Sequence, residues 1–331
     1  MLLDILLIVL GMALLVKGGD LLVDGASSLA RRFSISELAI GLTIVAFGTS
    51  APELVVSLSA ALGSHSEIVL GNVIGSNNFN IFVILGITGL IAHVAVQKNT
   101  VRIEIPFSML AALILLSLAN FAFPSGEKNM LTRVDGLILL LFLGLFFLYV
   151  YKSMKKASIS MASVAPGDGI KSEEKNPSIK TLSIARSTGF IVIGLVFLVL
   201  GGRFVVSSAV SLAQALNISE KVISLTIVAA GTSLPELVTS ITAIVKKKDD
   251  IAMGNIIGSN ILNIFMILGL CALISPIEYS PVFNGDIYLL IIGSFLLFLA
   301  MFTGKKRKLD RWESMVFVII YAGYVVHIIL R

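Results

Sequence analysis

SELAIGLTIVAFGTSAPELVVS, residues 36–57, returns as SEKVISLTIVAAGTSLPELVTS at 219–240. A second pair follows: GNVIGSNNFNIFVILG at 71–86 and GNIIGSNILNIFMILG at 254–269. The offset is 183 throughout, without a gap from Gly18/Gly201 to Gly86/Gly269. Chance does not repeat a pattern over that length. The chain is one unit written twice, and the character of that unit decides the fold.

That unit is apolar. Of the 331 residues, 56% are hydrophobic and 14% charged, with a mean hydropathy of +0.99. Soluble domains carry about 25% charged residues, so lipid is the expected solvent. A membrane helix needs roughly 17–25 apolar residues. Cutting the chain on that length gives spans near 2–30, 36–62, 68–92, 106–122, 134–151, 184–214, 221–245, 251–274, 285–303 and 314–330. The expected fold is therefore an all-α polytopic membrane protein of ten transmembrane helices, arranged as two inverted five-helix repeats. Residues 1–152 form the first repeat, 153–183 a polar linker with Pro166, Gly167, Gly169 and Pro177, and 184–331 the second. The N-terminal run has no basic start, carries Asp4 and offers no small-residue cleavage site, so it reads as the first span, retained. Cys271 is the single cysteine, which excludes an intrachain disulfide and a multi-cysteine metal cluster.

Five spans per copy force the second copy to enter the membrane upside down, and the charges agree. Lys and Arg collect after odd-numbered spans: Arg31 and Arg32, Lys98 and Arg102, the linker lysines, Lys246–Lys248, and Lys305–Arg311. The positive-inside rule puts that side in the cytoplasm, with both termini outside. Equivalent loops differ in charge, as GSHSE against KKKDD shows. Net charge of +5 thus reflects topology rather than nucleic-acid binding. Lys17, Asp20 and Asp24 have Leu200, Arg203 and Ser207 as counterparts, and a local helix pair is their expected role.

Glu53 and Glu236 sit in apolar helices, each within a G-T-S-x-P-E run. A carboxylate at the bilayer centre costs at least roughly 2.5–3.5 kcal/mol. Two at equivalent positions converge on one point, which a bound cation would make tolerable. Pro52 and Pro235 remove an N–H and free carbonyls of the preceding turn, around Gly48/Thr49 and Gly231/Thr232. Ser76 and Asn80, with Ser259 and Asn263, stand at i and i+4 on one face of the following helix. Carboxylate, carbonyl and neutral side-chain oxygens suit Ca²⁺ and Na⁺. With no His or Cys beside them, zinc and copper are disfavoured. Gly71/Gly75 and Gly254/Gly258 have the small-xxx-small spacing of close helix approach.

At these motifs, over nearly the whole chain, the sequence resembles the cation/calcium antiporter superfamily and its prokaryotic sodium/calcium exchanger branch. The resemblance implies four ion sites in a diamond. Glu53, Glu236 and the Thr49 and Thr232 carbonyls would hold Ca²⁺. Na⁺ would use the same glutamates with Ala46, Ser50, Ser76, Ala229, Ser233 and Ser259, and Asn80 and Asn263 would complete the centre. The first and sixth helices would slide across the rest. Asn263 stands where the second repeat often carries Asp. Gly75 and Gly258 stand where the proton-coupled branch carries Glu, which favours sodium. The expected function is secondary antiport of sodium against calcium, without a cofactor, a chemical reaction or an inferred protein partner, in the cell (inner) membrane. A calcium/proton antiporter is the alternative. A passive cation channel or a membrane scaffold would not need duplicated, in-register carboxylates.

Overall fold

The computed structural model describes residues 2–121, 129–162, 182–215, 229–304 and 307–330. Outside them lie most of the expected linker with Pro166, Gly167, Gly169 and Pro177, the start of the seventh expected span, and Lys128, Lys221, Lys305, Lys306 and Arg331.

Apolar composition sets the architecture: helices pair their backbone groups internally, which a lipid environment demands. The elements are α1 (Leu2–Phe33), a bent pair α2a (Glu37–Thr49) and α2b (Ala51–Leu62), α3 (Ser66–Ile91), α4 (Thr100–Asn120) and α5 (Arg133–Ala162). After the linker come α6 (Ile184–Ala215), α7a (Ala229–Thr232), α7b (Leu234–Val245), α8 (Asp249–Ile274), α9 (Pro281–Ala300) and α10 (Arg311–Leu330). Among the described residues seven helices are long and apolar enough to cross a membrane, or eight with the bent pair counted as one span. The chain is an all-α polytopic membrane protein. Its only strands among the described residues are two-residue clasps, Val94–Ala95 with Lys308–Leu309 and Met130–Leu131 with Ile277–Glu278.

Hydropathy marked where a helix leaves the apolar layer, not where it ends. α5 runs on to Ala162 through KSMKKASISMA, beyond the expected boundary at 152, because Lys, Met, Ala and Ser all tolerate a helix well. α4 likewise starts at Thr100 with a π-helical turn rather than at 106.

Burial divides the bundle. The apolar windows of α3 and α8 are 72% and 89% buried, whereas those of α1 and α6 are 22% and 28% buried. α3 and α8 therefore form the core, and α1 and α6 lie against it as an outer pair. That pair is joined by a seam of small residues repeating every seven. A Cβ on Gly11 would lie 2.8 Å from the Gly201 carbonyl, on Gly18 2.8 Å from that of Gly194, and on Gly25 2.7 Å from that of Ser187. The descending partner numbers make the two helices antiparallel. Where lipid is as apolar as leucine, such close backbone approach is what drives association. The same device seats α8 on α2a: a Cβ on Gly254 would be 2.7 Å from the Leu38 carbonyl. Gly71 and Gly75, their equivalents, meet no described atom within 4 Å; the segment equivalent to Leu38–Val45 falls in 216–228, outside the described residues.

Candidate ion-binding site

The two G-T-S-x-P-E runs break their helices where proline chemistry requires. Pro52 and Pro235 occupy the opening turns of α2b and α7b. Ser50 (φ −80°, ψ 6°) and Ser233 (φ −90°, ψ 9°) leave the helical well in the same way, and α2a meets α2b at 49°. Each break leaves its glutamate in the first turn of the restarted helix, 0% exposed at Glu53 and 1% at Glu236. The breaks face one another: the Ser50 hydroxyl donates to Glu236 Oε1 at 3.1 Å, and the Ser233 hydroxyl donates to Glu53 Oε1 at 3.0 Å.

The core helices close the site from the side. Asn77 Nδ2 donates to the Asn260 carbonyl (3.2 Å), and Asn260 Nδ2 donates to the Asn77 carbonyl (3.4 Å). One turn on, Asn80 Nδ2 donates to Asn260 Oδ1 (2.9 Å) and Asn263 Nδ2 donates to Asn77 Oδ1 (3.0 Å). Asn80 and Asn263 each open a π-helical turn, a distortion frequent at functional sites. With their amides so committed, their Oδ1 atoms are left over.

What is left over forms a pattern. Glu53 Oε2, Glu236 Oε2, Ser76 Oγ, Ser259 Oγ, Asn80 Oδ1 and Asn263 Oδ1 are buried without a hydrogen-bond partner among the described residues. These are three pairs, each at the 183-residue offset. Buried polar atoms are ordinarily satisfied, and an unpaired one costs about 1–3 kcal/mol. A set of oxygens orphaned twice over, with two carboxylates among them, fits a hard cation. Among the described residues no cluster of three or more His, Cys, Asp or Glu could hold a metal. A cation here would be held by the two carboxylates and neutral oxygens.

The structure thus brings Glu53 against Ser233 and Glu236 against Ser50, ties Asn80 and Asn263 to Asn260 and Asn77 of the other repeat, and leaves Ser76 and Ser259 buried on the same core helices. Thr49 and Thr232 end α2a and α7a, and their hydroxyls reach Asn255 Oδ1 (3.0 Å) and Asn72 Oδ1 (3.3 Å) across the repeat boundary. Ala46 lies against Gly258, and Ala229 opens α7a beside the undescribed segment. Asn72, Asn77, Asn255 and Asn260 escaped the reading of the sequence. They lie in the same duplicated motif at the same offset, a signal that was available; what the sequence hid was that their amides reach the other repeat.

The surroundings are not symmetric. A cavity of about 590 Å³ opens between α6 and the breaks, lined by Pro52, Val55, Arg203, Ser207, Thr232 and Pro235 among others. At the equivalent place by α1, Gly19 packs on Thr242 and Val238 of α7b. Asp20 and Asp24, rather than pairing with Lys17, reach Lys246 at 3.1 and 2.8 Å.

The sodium/calcium exchanger protein family matches residues 3–152 and 186–330. The chain belongs to that family. It is 33% identical to the sodium/calcium exchanger MaX1 of Methanosarcina acetivorans, over 98% of this chain and 97% of that one. It is 36% identical to the inner membrane protein YrbG of Escherichia coli (strain K12), over 89% and 88% of the two chains. Among solved structures it resembles the sodium-calcium exchanger NCX_Mj soaked with 2.5 mM Na⁺ and 0.1 mM Ca²⁺, at a TM-score of 0.78 and 32% identity over 98% of each chain. Members of this exchanger family are transporters, and cation/calcium exchange across a membrane is the activity that membership supports.

Proposed function

We propose that this exchanger is a secondary antiporter that moves sodium against calcium by alternating access, exporting calcium from the cytoplasm. Its ligands would be Glu53 and Glu236 with the carbonyls of Thr49, Thr232, Ala46 and Ala229 and the side chains of Ser50, Ser233, Ser76, Ser259, Asn80 and Asn263. The observation that carries this reading is the set of orphaned buried oxygens in offset-related pairs, two carboxylates among them. Two negative charges balance one Ca²⁺, and the neutral oxygens offer room for several Na⁺ in its place. The relatives named for sodium and calcium exchange support the choice of ions. So does Gly258: a Cβ there would already lie 2.8 Å from Ala46 Cβ, leaving no space for the glutamate that the proton-coupled branch carries at that position.

In this reading residues 1–152 and 184–331 are inverted five-helix repeats making ten crossings, with both termini outside and the 153–183 linker in the cytoplasm of a cell whose inner membrane holds the protein. Antiparallel α1 and α6, joined along their glycine seam and only lightly buried, form the moving body. The cavity beside α6 faces outside, and the packed α1–α7b contact closes the cytoplasmic side.

Ca²⁺ uptake into proteoliposomes preloaded with Na⁺ tests the proposal. Uptake should require internal Na⁺ and fall at least about 100-fold in Glu53→Gln and Glu236→Gln, since each removes one of two balancing charges. Uptake that ignores Na⁺ and follows a pH gradient would transfer the protein to the proton-coupled class.

A further inference from the structure

We infer that Asn72 and Asn255 are positioning residues that set the gap between the two broken helices and thereby tune the site toward the divalent ion. The inference rests on the ion site proposed above, but neither residue is among its ligands. Asn72, on α3, donates through Nδ2 to the Glu53 carbonyl (3.1 Å) and the Ser57 hydroxyl (2.9 Å). Its Oδ1 accepts from the Thr232 hydroxyl of the other repeat (3.3 Å). Asn255, on α8, repeats each bond: to the Glu236 carbonyl (3.3 Å), to the Ser240 hydroxyl (3.0 Å), and from the Thr49 hydroxyl (3.0 Å). Every hydrogen-bonding group of the two amides that these bonds use is matched in the other copy, residue for residue.

The mechanical consequence follows from where the bonds end. An amide is planar and rigid, so Asn72 holds the backbone of Glu53 at a set distance from Thr232, and Asn255 holds that of Glu236 at a set distance from Thr49. Each strut joins the carboxylate turn of one repeat to the last helical residue before the break of the other. The hydroxyls of Ser50 and Ser233 span the same boundary but end on carboxylate oxygens, which an arriving ion would claim. The asparagines end on backbone carbonyls and hydroxyls rather than on carboxylate oxygens. They are therefore the contacts able to fix the gap before the ion arrives.

Fixing the gap matters unequally to the two ions. A doubly charged ion is balanced only by both carboxylates at once, so its oxygens, at about 2.3–2.6 Å, must be drawn from both sides of the boundary. A single Na⁺ is balanced by one carboxylate and asks less of the spacing. Loosening a strut should then weaken Ca²⁺ more than Na⁺.

The test is equilibrium binding of each ion to purified protein in detergent, measured by calorimetry, for Asn72→Ala, Asn255→Ala, Thr232→Val and Thr49→Val. The threonine variants keep the backbone carbonyl and lose only the hydroxyl, so they answer the question even where an asparagine variant does not fold. Ca²⁺ affinity should fall about tenfold and Na⁺ affinity less than threefold, the size expected for one buried hydrogen-bonded network. The double variant Asn72→Ala/Thr232→Val should bind Ca²⁺ no worse than Asn72→Ala, and Thr232→Ser should restore wild-type values. Equal losses for both ions, additive losses in the double variant, or unchanged Ca²⁺ affinity in the threonine variants would overturn the inference. Ca²⁺ binding that is unchanged from wild type in Glu53→Gln and Glu236→Gln would instead remove the ion site itself, a distinguishable failure.

Discussion

Lys246 is the sharpest place to perturb the conformational reading. Its ammonium lies 2.8 Å from Asp24 Oδ1 and 3.1 Å from both Asp20 Oδ1 and the Asp20 carbonyl, tying the end of α7b to α1. The side chains are 27%, 40% and 53% exposed for Lys246, Asp20 and Asp24, so solvent screens them and the latch is worth about 1 kcal/mol rather than the several of a buried pair. That energy corresponds to a population ratio of about fivefold. Lys246→Gln should therefore raise the population open at the α1–α7b contact about fivefold. The change is best read on the rarer state. Val238, half-buried under Gly19, is the counterpart of the cavity-lining Val55. A Val238→Cys reporter should react with a cytoplasmic maleimide about fivefold faster once Lys246→Gln is added. Cys271, at 0% exposure, leaves the background silent. Raising the ionic strength should speed labelling with Lys246 present and have little effect without it. An unchanged labelling rate in Lys246→Gln would refute the latch.

Gly18→Ala or Gly194→Ala places a methyl 2.8 Å from a facing carbonyl and should cost about 1–3 kcal/mol of stability, seen as a lower melting temperature in detergent. Gly189→Ala, on the same α6 but facing no heavy atom within 4 Å among the described residues, should be neutral or slightly stabilising. Ser76→Ala and Ser259→Ala delete orphaned hydroxyls, so thermal stability should hold or rise. Their half-saturation for ions in the exchange assay should rise several-fold, and unchanged ion dependence would remove both serines from the ligand set.

The sequence made the site legible because the site is duplicated. Glu53 with Glu236, Ser76 with Ser259 and Asn80 with Asn263 announce themselves as in-register polar residues in apolar surroundings, and the structure buries all six, each with an oxygen left without a partner among the described residues. Pro52 and Pro235 likewise foretold the breaks. The cross-boundary bonds of Asn72, Asn77, Asn255 and Asn260 were not legible, since a repeat says which residues match, not which face each other. Helix ends such as Ala162 were misjudged because hydropathy reports the lipid boundary while backbone propensity carries the helix past it. The partners of Asp20 and Asp24 were misassigned for a related reason: helix spacing made Lys17 their natural neighbour, and only the packing of α1 on α7b brings Lys246 closer.

Those misassigned charges bear on direction. A site built from identical halves presents the same oxygens to an ion arriving from either side, so its chemistry cannot by itself prefer one orientation. Preference has to come from residues at which the halves differ. Asp20, Asp24 and Lys246 stand opposite Arg203, Ser207 and Gly63 at the 183-residue offset; the first three latch one face, and Arg203 and Ser207 line the cavity at the other. In the proposed exchanger the repeat would hold the ligands constant and leave the gate free to differ. A state preference of about 1 kcal/mol would then be set by exposed charges that can change without disturbing the buried oxygens, and the half carrying Arg203 in place of Asp20 lacks the carboxylate such a latch requires.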